Sequence, residues 1–168
     1  MSKPLQANNI DNIAPVVLGV TVVLCFLLMP SDLRSLNAAE KGSNDARCLA
    51  LTLYWEARAE GRKAMEAVAW VVLNRRKNPN FPETICQVVR EGGESPPCQF
   101  SYWCDGEPDT PQNEDAWKQA KEVAARMLTQ PPPDPTGGAL FFHSVELRPP
   151  WTKKRKRTVE IGRHIFYR

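Results

Sequence analysis

The sequence predicts an α+β fold: a mostly helical domain that finishes in a small antiparallel β-sheet and follows an N-terminal transmembrane segment. Three observations carry this. Met65, Val68, Ala69, Val72 and Leu73 repeat at the i, i+3, i+4 spacing of a helix with one apolar face. The run Gln130-Pro131-Pro132-Pro133-Asp134-Pro135-Thr136-Gly137-Gly138 cannot continue a helix, so the chain changes character there. Beyond it, two β-branched and aromatic stretches flank Gly162-Arg163, the pattern of a tight hairpin.

The bulk numbers bound the rest. A chain of 168 residues with 42% hydrophobic residues reads as one globular domain large enough for its own core. A formal net charge of +3 is too small to argue for nucleic acid, and no such partner is expected.

Residues 1–12 form a short tail, and residues 13–30 a nearly pure apolar stretch interrupted only by Gly19 and Thr21 in its core. Ile13–Met29 is about 17 residues long, the short limit of a bilayer span and more than a typical signal-peptide core. Ala38-Ala39 would suit a signal peptidase but lies far past the apolar core, so an uncleaved anchor is expected. Residues 31–46, with Ser31, Ser35, Asn37, Gly42, Ser43 and Asn44, read as a tether. The folded domain is then 47–168.

Asn44 or Asp45 is placed to cap a helix through Cys48, Leu49, Leu51, Leu53 and Trp55 that stops near Gly61. The periodic helix follows, with Arg75, Arg76 and Lys77 in its last turn. Asn78-Pro79-Asn80-Phe81-Pro82 breaks the chain before a short element, Glu83 to Arg90. A third long helix is expected from Gln112 to Leu128, burying Trp117, Ala120, Ala124, Met127 and Leu128. Strands are expected at Ala139–His143, Thr158–Ile161 and His164–Tyr167.

The chemistry centres on Tyr54-Trp55-Glu56-Ala57-Arg58-Ala59-Glu60-Gly61. A carboxylate held against aromatic rings loses solvation of its charged form, so Glu56 is the candidate proton donor. Arg58 opposes this, since a nearby guanidinium favours the ionised form. Glu60 follows one turn later and would share a helical face with Glu56. The same residues also describe an ordinary amphipathic helix end with solvated glutamates. Gln99, Phe100, Ser101, Tyr102 and Trp103 offer the amide and aromatic surfaces that suit a carbohydrate, or a packed loop. His143 ends an apolar strand, where a structural histidine is the commoner outcome, and His164 reads as an ordinary hairpin residue.

Read in order, several segments resemble the SleB/CwlJ (spore-cortex-lytic-enzyme) type of cell wall hydrolase. They are Tyr54–Gly61, Ala67-Val68-Ala69-Trp70-Val71-Val72-Leu73-Asn74-Arg75, Phe81–Cys86, Gln99-Phe100-Ser101, Gly137-Gly138-Ala139 and Ile161–Phe166. Ala59 departs from the glycine usual in the family's E-A-R-G-E motif, without touching a carboxylate. The resemblance implies a lysozyme-like, lytic-transglycosylase-like domain acting on peptidoglycan glycan strands, with Glu56 as its catalytic acid. Glu60, Gln99, Phe100, Ser101, Tyr102 and His143 are the candidate substrate contacts. A non-catalytic, membrane-tethered wall-binding protein on the same fold is the competing function. The expected location is the bacterial cytoplasmic membrane, with the domain outside the cytoplasm and no cofactor.

Four cysteines follow the apolar stretch: Cys48, Cys86, Cys98 and Cys104. After an export segment they favour disulfides over zinc, and no close Cys pair of the usual metal spacing exists. Three pairings are possible; Cys98–Cys104 with Cys48–Cys86 is one that would close the aromatic loop. No metal is expected. Lys153-Lys154-Arg155-Lys156-Arg157 is a solvated loop or a surface for anionic wall polymer or lipid headgroups.

Overall fold

The computed structural model describes residues 31–168, of which Glu40–Arg168 form one compact unit. The stretch 13–30, expected to cross a membrane, lies outside the described residues. Among those described, no helix is long and apolar enough to do so.

Helix α1 runs from Ser31 to Ala57. The tether expected over 31–46 is therefore helical. It carries a single glycine, Gly42, and no proline, and is rich in Leu, Ala, Arg, Glu and Lys. Nothing in it stops a helix anchored by the buried residues from Cys48 onward. Asp45 caps a different helix from the one expected: its Oδ1 accepts the backbone N–H of Cys86, 3.2 Å away. That N–H belongs to the first turn of α3 (Ile85–Val89), whose own cap, Thr84, accepts from the Gln87 N–H.

Helix α2 (Arg62–Lys77) is the central element. Its Met65, Val68, Ala69, Val72 and Leu73 join the core shared with the other helices. Ala67 and Val71 pack instead with Ala139 and Phe166 beneath the sheet. A helix covered on two sides buries more than the one stripe its periodicity predicts, and Arg75 is drawn into the interior with it. Helix α4 (Glu114–Thr129) starts at Asn113, whose side chain accepts the Ala116 N–H. Glu114 and Asp115 in its first turn complement the helix dipole. It buries Ala120, Val123, Ala124 and Met127, a narrower stripe than expected, with Trp117 and Leu128 only half-buried.

Strands β1 (Phe141–Ser144), β2 (Arg157–Ile161) and β3 (His164–Tyr167) form an antiparallel sheet in the order β1-β3-β2. Phe142 stands opposite Phe166 and Glu160 opposite Ile165. The turn at Gly162 (φ 60°) closes the β2–β3 hairpin. Asp134 holds the connector before β1: its carboxylate accepts from the backbone N–H groups of Thr136 and Gly138 and from Asn74 Nδ2 on α2. Disulfides join Cys48 to Cys86 and Cys98 to Cys104. The first ties α1 to α3; the second closes the loop of residues 98–104.

Candidate active site

A cavity of about 420 Å³ opens between the helices and the sheet. Glu56 from α1, Arg75 from α2, Gln99 and Ser101 from the disulfide-closed loop, and Phe141 to Ser144 of β1 line it. Trp151 and His164 complete its polar and aromatic walls. Among the described residues, no other carboxylate lines it.

Glu56 is partly accessible from the cavity, yet burial pushes its carboxyl up to about 7. Loss of solvation is the cause: the charged form has little water around it and no fixed dipole replaces that water. None of the hydrogen bonds among the described residues involves the Glu56 carboxyl. A carboxyl in this state holds its proton near neutral pH and can give it to an oxygen that enters the cavity.

Successive helical residues project about 100° apart, and the rings that flank Glu56 in sequence do not line the cavity. Tyr54 is fully buried in the helical core. Its hydroxyl accepts from Arg58 Nη1 at 2.7 Å and from the backbone N–H groups of Gln112 and Asn113, both at 3.0 Å. The Arg58 guanidinium lies over the Tyr54 and Trp55 rings, at 4.7 and 5.0 Å from their centroids. The expected opposition of Arg58 to a raised Glu56 pKa therefore disappears, because Arg58 is engaged elsewhere.

Glu60 is not brought to the cavity. Helix α1 ends at Ala57, and a turn closed by the Glu60 N–H on the Ala57 carbonyl redirects the chain. The shared helical face expected for Glu56 and Glu60 does not form. Glu60 Oε2 instead accepts the backbone N–H of Arg163, and Oε1 lies 3.2 Å from His164 Nδ1.

The candidates at 98–104 divide by the backbone's local geometry. Gln99 and Ser101 face the cavity. Phe100 and Tyr102 turn the other way into the core and do not line it. Phe100 is extended (φ −126°, ψ 118°), and a 3₁₀ turn follows at Ser101–Trp103. The Tyr102 hydroxyl pairs with that of Thr52 at 2.9 Å, a buried contact to α1. Trp103 packs at the edge of the core with the Arg90 guanidinium 4.5 Å from its ring centroid.

His143 lines the cavity, but both ring nitrogens have protein partners. Nδ1 is 2.7 Å from the Ser144 carbonyl, and Nε2 is 3.0 Å from the Tyr167 hydroxyl. A carbonyl only accepts, so Nδ1 carries the proton and Nε2 accepts from Tyr167.

Arg75 and His164 are the site residues that sequence reasoning passed over. Arg75 Nε donates to the Leu140 carbonyl at 2.7 Å. With the Gln99 amide oxygen turned inward, its two remaining nitrogens reach that oxygen at 3.0 and 3.1 Å. The guanidinium sits among the rings of Phe81, Phe100 and Phe141, and burial lowers its pKa to about 10, still charged at neutral pH. It braces the Gln99 loop against the start of the sheet. The signal was available: Arg75 continues the Val68–Val72 stripe at i+7 and i+3.

The basic run borders the same cavity. Lys153 to Arg157 are exposed, and the Arg155 guanidinium stacks 3.3 Å from the centroid of Phe141, a cavity-lining ring. The four cysteines are engaged in disulfides and unavailable to zinc.

A family model described as Cell Wall Hydrolase matches residues 59–167. The match takes in Glu60 and begins just after Glu56. The chain is 32% identical over 125 residues to the spore cortex-lytic enzyme of Bacillus subtilis (strain 168), covering 74% of this chain and 37% of that protein. It is 32% identical over 124 residues to that of Bacillus cereus (strain ATCC 14579), covering 73% and 44% respectively. The chain thus spans less than half the length of these curated relatives. Among solved structures, the catalytic domain of the germination-specific lytic transglycosylase SleB from Bacillus anthracis superposes with a TM-score of 0.61 at 32% identity, covering 74% of this chain and 94% of that one. The catalytic domain of the Bacillus cereus SleB protein gives 0.58 at 31%, covering 75% and 91%. The helical domain with its three-stranded sheet has the fold of these catalytic domains.

Proposed function

The chain belongs to the cell wall hydrolase family, of the spore-cortex-lytic-enzyme type, and on that premise we propose that it cleaves peptidoglycan glycan strands between N-acetylmuramic acid and N-acetylglucosamine. One observation carries the reading: a carboxyl lining an open cavity, held protonated to about pH 7 by burial alone.

The mechanism we infer uses Glu56 twice. Its proton passes to the glycosidic oxygen as the C1–O bond breaks, and an oxocarbenium-like centre develops at C1. The carboxylate left behind then takes the proton of the muramic acid 6-hydroxyl while that oxygen bonds C1, giving a 1,6-anhydro end with no water consumed. Hydrolases of the two-carboxylate kind place a second acid about 5 Å or about 6.5–9.5 Å from the first. The lack of another carboxylate among the described residues of the cavity lining supports the one-glutamate route.

Mass spectrometry of fragments released from purified peptidoglycan tests this. Products one water lighter than reducing-end fragments are expected. Reducing ends would instead assign attack by water, and tight binding of the wild-type protein without turnover would assign a wall-binding protein on the same fold.

We further propose that residues 13–30 anchor the protein in the cytoplasmic membrane, with the domain on the outer side. The two disulfides support an oxidising compartment. A C-terminal reporter active only outside the cytoplasm is the expected result; activity inside would reverse the topology.

A further inference from the structure

Glu60 does not line the cavity, but its carboxylate lies 3.2 Å from Nδ1 of His164, which does. Along the chain Glu60 is 103 residues from Arg163, whose backbone N–H it accepts, and 104 from His164. The side chains of Glu60 and His164 are 12% and 7% exposed, so the contact is shut off from bulk water. Gly162 makes the approach possible: a Cβ there would collide with Glu60 Oε2, and its φ of 60° also favours glycine.

The other sides of the imidazole are fixed as well. Phe142 meets it edge to face at 5.0 Å between centroids, and Phe166 packs at 6.2 Å. Nδ1 lies at ion-pair distance from Glu60, although its angle falls short of a hydrogen bond. No hydrogen bond among the described residues engages Nε2, and the residue lines the cavity with Glu56. The charged or titratable groups facing the ring are Glu60, Arg163 and His143. Burial lowers the pKa of His164, the Glu60 carboxylate opposes that, and Arg163 and His143 add to the lowering, leaving it below the ordinary histidine value.

A neutral imidazole beside a carboxylate puts its proton on the nitrogen nearer that carboxylate, which leaves a lone pair on the other. We propose that Glu60 and His164 form a positioning pair that presents His164 Nε2 to the cavity as an acceptor for an N–H or O–H of the bound glycan. The assignment of a sugar as ligand rests on the proposed function; the tautomer and its cause do not. Glu60 is then a positioning residue acting through His164, and the binding contact is Nε2.

Nitrogen-15 NMR of the imidazoles tests the pair directly, and the chain has only two histidines to assign. At pH 7.5 the His164 ring should be neutral with its proton on Nδ1. Glu60→Gln, whose amide can donate toward Nδ1, should move the proton to Nε2 with little change in thermal melting. Soluble glycan fragments, added to the protein carrying Glu56→Gln, should shift the Nε2 resonance. In an otherwise wild-type background, His164→Phe should raise KM about tenfold with a smaller change in kcat, and His164→Asn should recover part of the loss. A native Nε2–H tautomer, or an unchanged KM in a folded His164→Phe protein, would overturn the proposal. Absence of any glycan cleavage by the wild type would defeat the functional reading alone, since the tautomer and the fragment shift are read without turnover.

Discussion

Glu56 and Glu60 are four residues apart and have opposite environments. The Glu56 carboxyl faces the cavity without a hydrogen bond among the described residues, whereas Glu60 accepts the Arg163 N–H and faces His164. The end of α1 at Ala57 separates them. Two carboxylates in one short motif thus reach two different places, the first facing the cavity and the second bound to the hairpin.

Replacing Glu56 with Gln should abolish release of glycan fragments, a loss of at least about a thousandfold, since no other acid among the described residues lines the cavity. In the wild type, the rate should fall about tenfold per pH unit above pH 7, as the carboxyl that must donate the proton becomes ionised. A turbidity assay on purified sacculi across pH 5–9 would show both. Activity rising through pH 8 would point to another donor.

The same burial has a signed effect on stability. The folded pKa of Glu56 is raised above the unfolded value, so the native state binds more protons between about pH 4.5 and 7. The stability this contributes is complete below pH 4.5 and lost as pH rises through 7. Glu56→Gln should therefore be more stable than wild type at pH 8, by up to about 3 kcal/mol. The difference should vanish near pH 4 in urea denaturation. An equal effect at both pH values would mean that the carboxyl is solvated.

Tyr54→Phe should cost roughly 2–3 kcal/mol, because the backbone N–H groups of Gln112 and Asn113 and the Arg58 side chain lose their acceptor together. The Gln112–Asn113 pair sits at the start of α4, so hydrogen exchange should quicken there first. Activity per folded molecule should be nearly unchanged.

The two disulfides should separate in their effects. Cys48–Cys86 spans 38 residues, and its removal should cost about 3–4 kcal/mol through the freed unfolded chain. Cys98–Cys104 spans only 6, worth about 2 kcal/mol on the same reasoning. Gln99 and Ser101 hang from this smaller loop, so its loss should lower activity more than stability. Denaturation curves and sacculus assays of the two double-serine variants would decide it.

Binding to purified sacculi should weaken as salt rises from about 0.05 to 0.5 M, and changing Lys153, Lys154 and Lys156 to Gln should flatten that dependence. All three are exposed beside a cavity bordered by Phe141 and Arg155. Salt-independent binding would leave the run as a solvated loop.

Local patterns made part of this legible in the sequence. The α2 repeat, the proline-rich break and the Gly162 hairpin are each written in adjacent residues, and each appears close to where it was expected. Glu56 stood out by residue type and company; the cavity it faces is walled by β1 and the 98–104 loop, while Tyr54 and Trp55 pack with the helical core. The helical nature of 31–46 was hidden because Ser, Asn and Gly suggest a tether, while continuity with a buried helix decides the outcome. Which of Gln99, Phe100, Ser101 and Tyr102 face the cavity depends on a single 3₁₀ turn, below the resolution of pattern reading. The Glu60–His164 contact joins opposite ends of the domain, and no local period announces it.

The Glu56 carboxyl makes no hydrogen bond among the described residues, and this shapes how the lineage can drift. A chain that exchanged this glutamate for a neutral residue would keep its core, its bridges and its hairpin, and would fold as well as its parent or better. Descendants without the acid should therefore be sturdy proteins, betrayed by one letter in an otherwise intact motif.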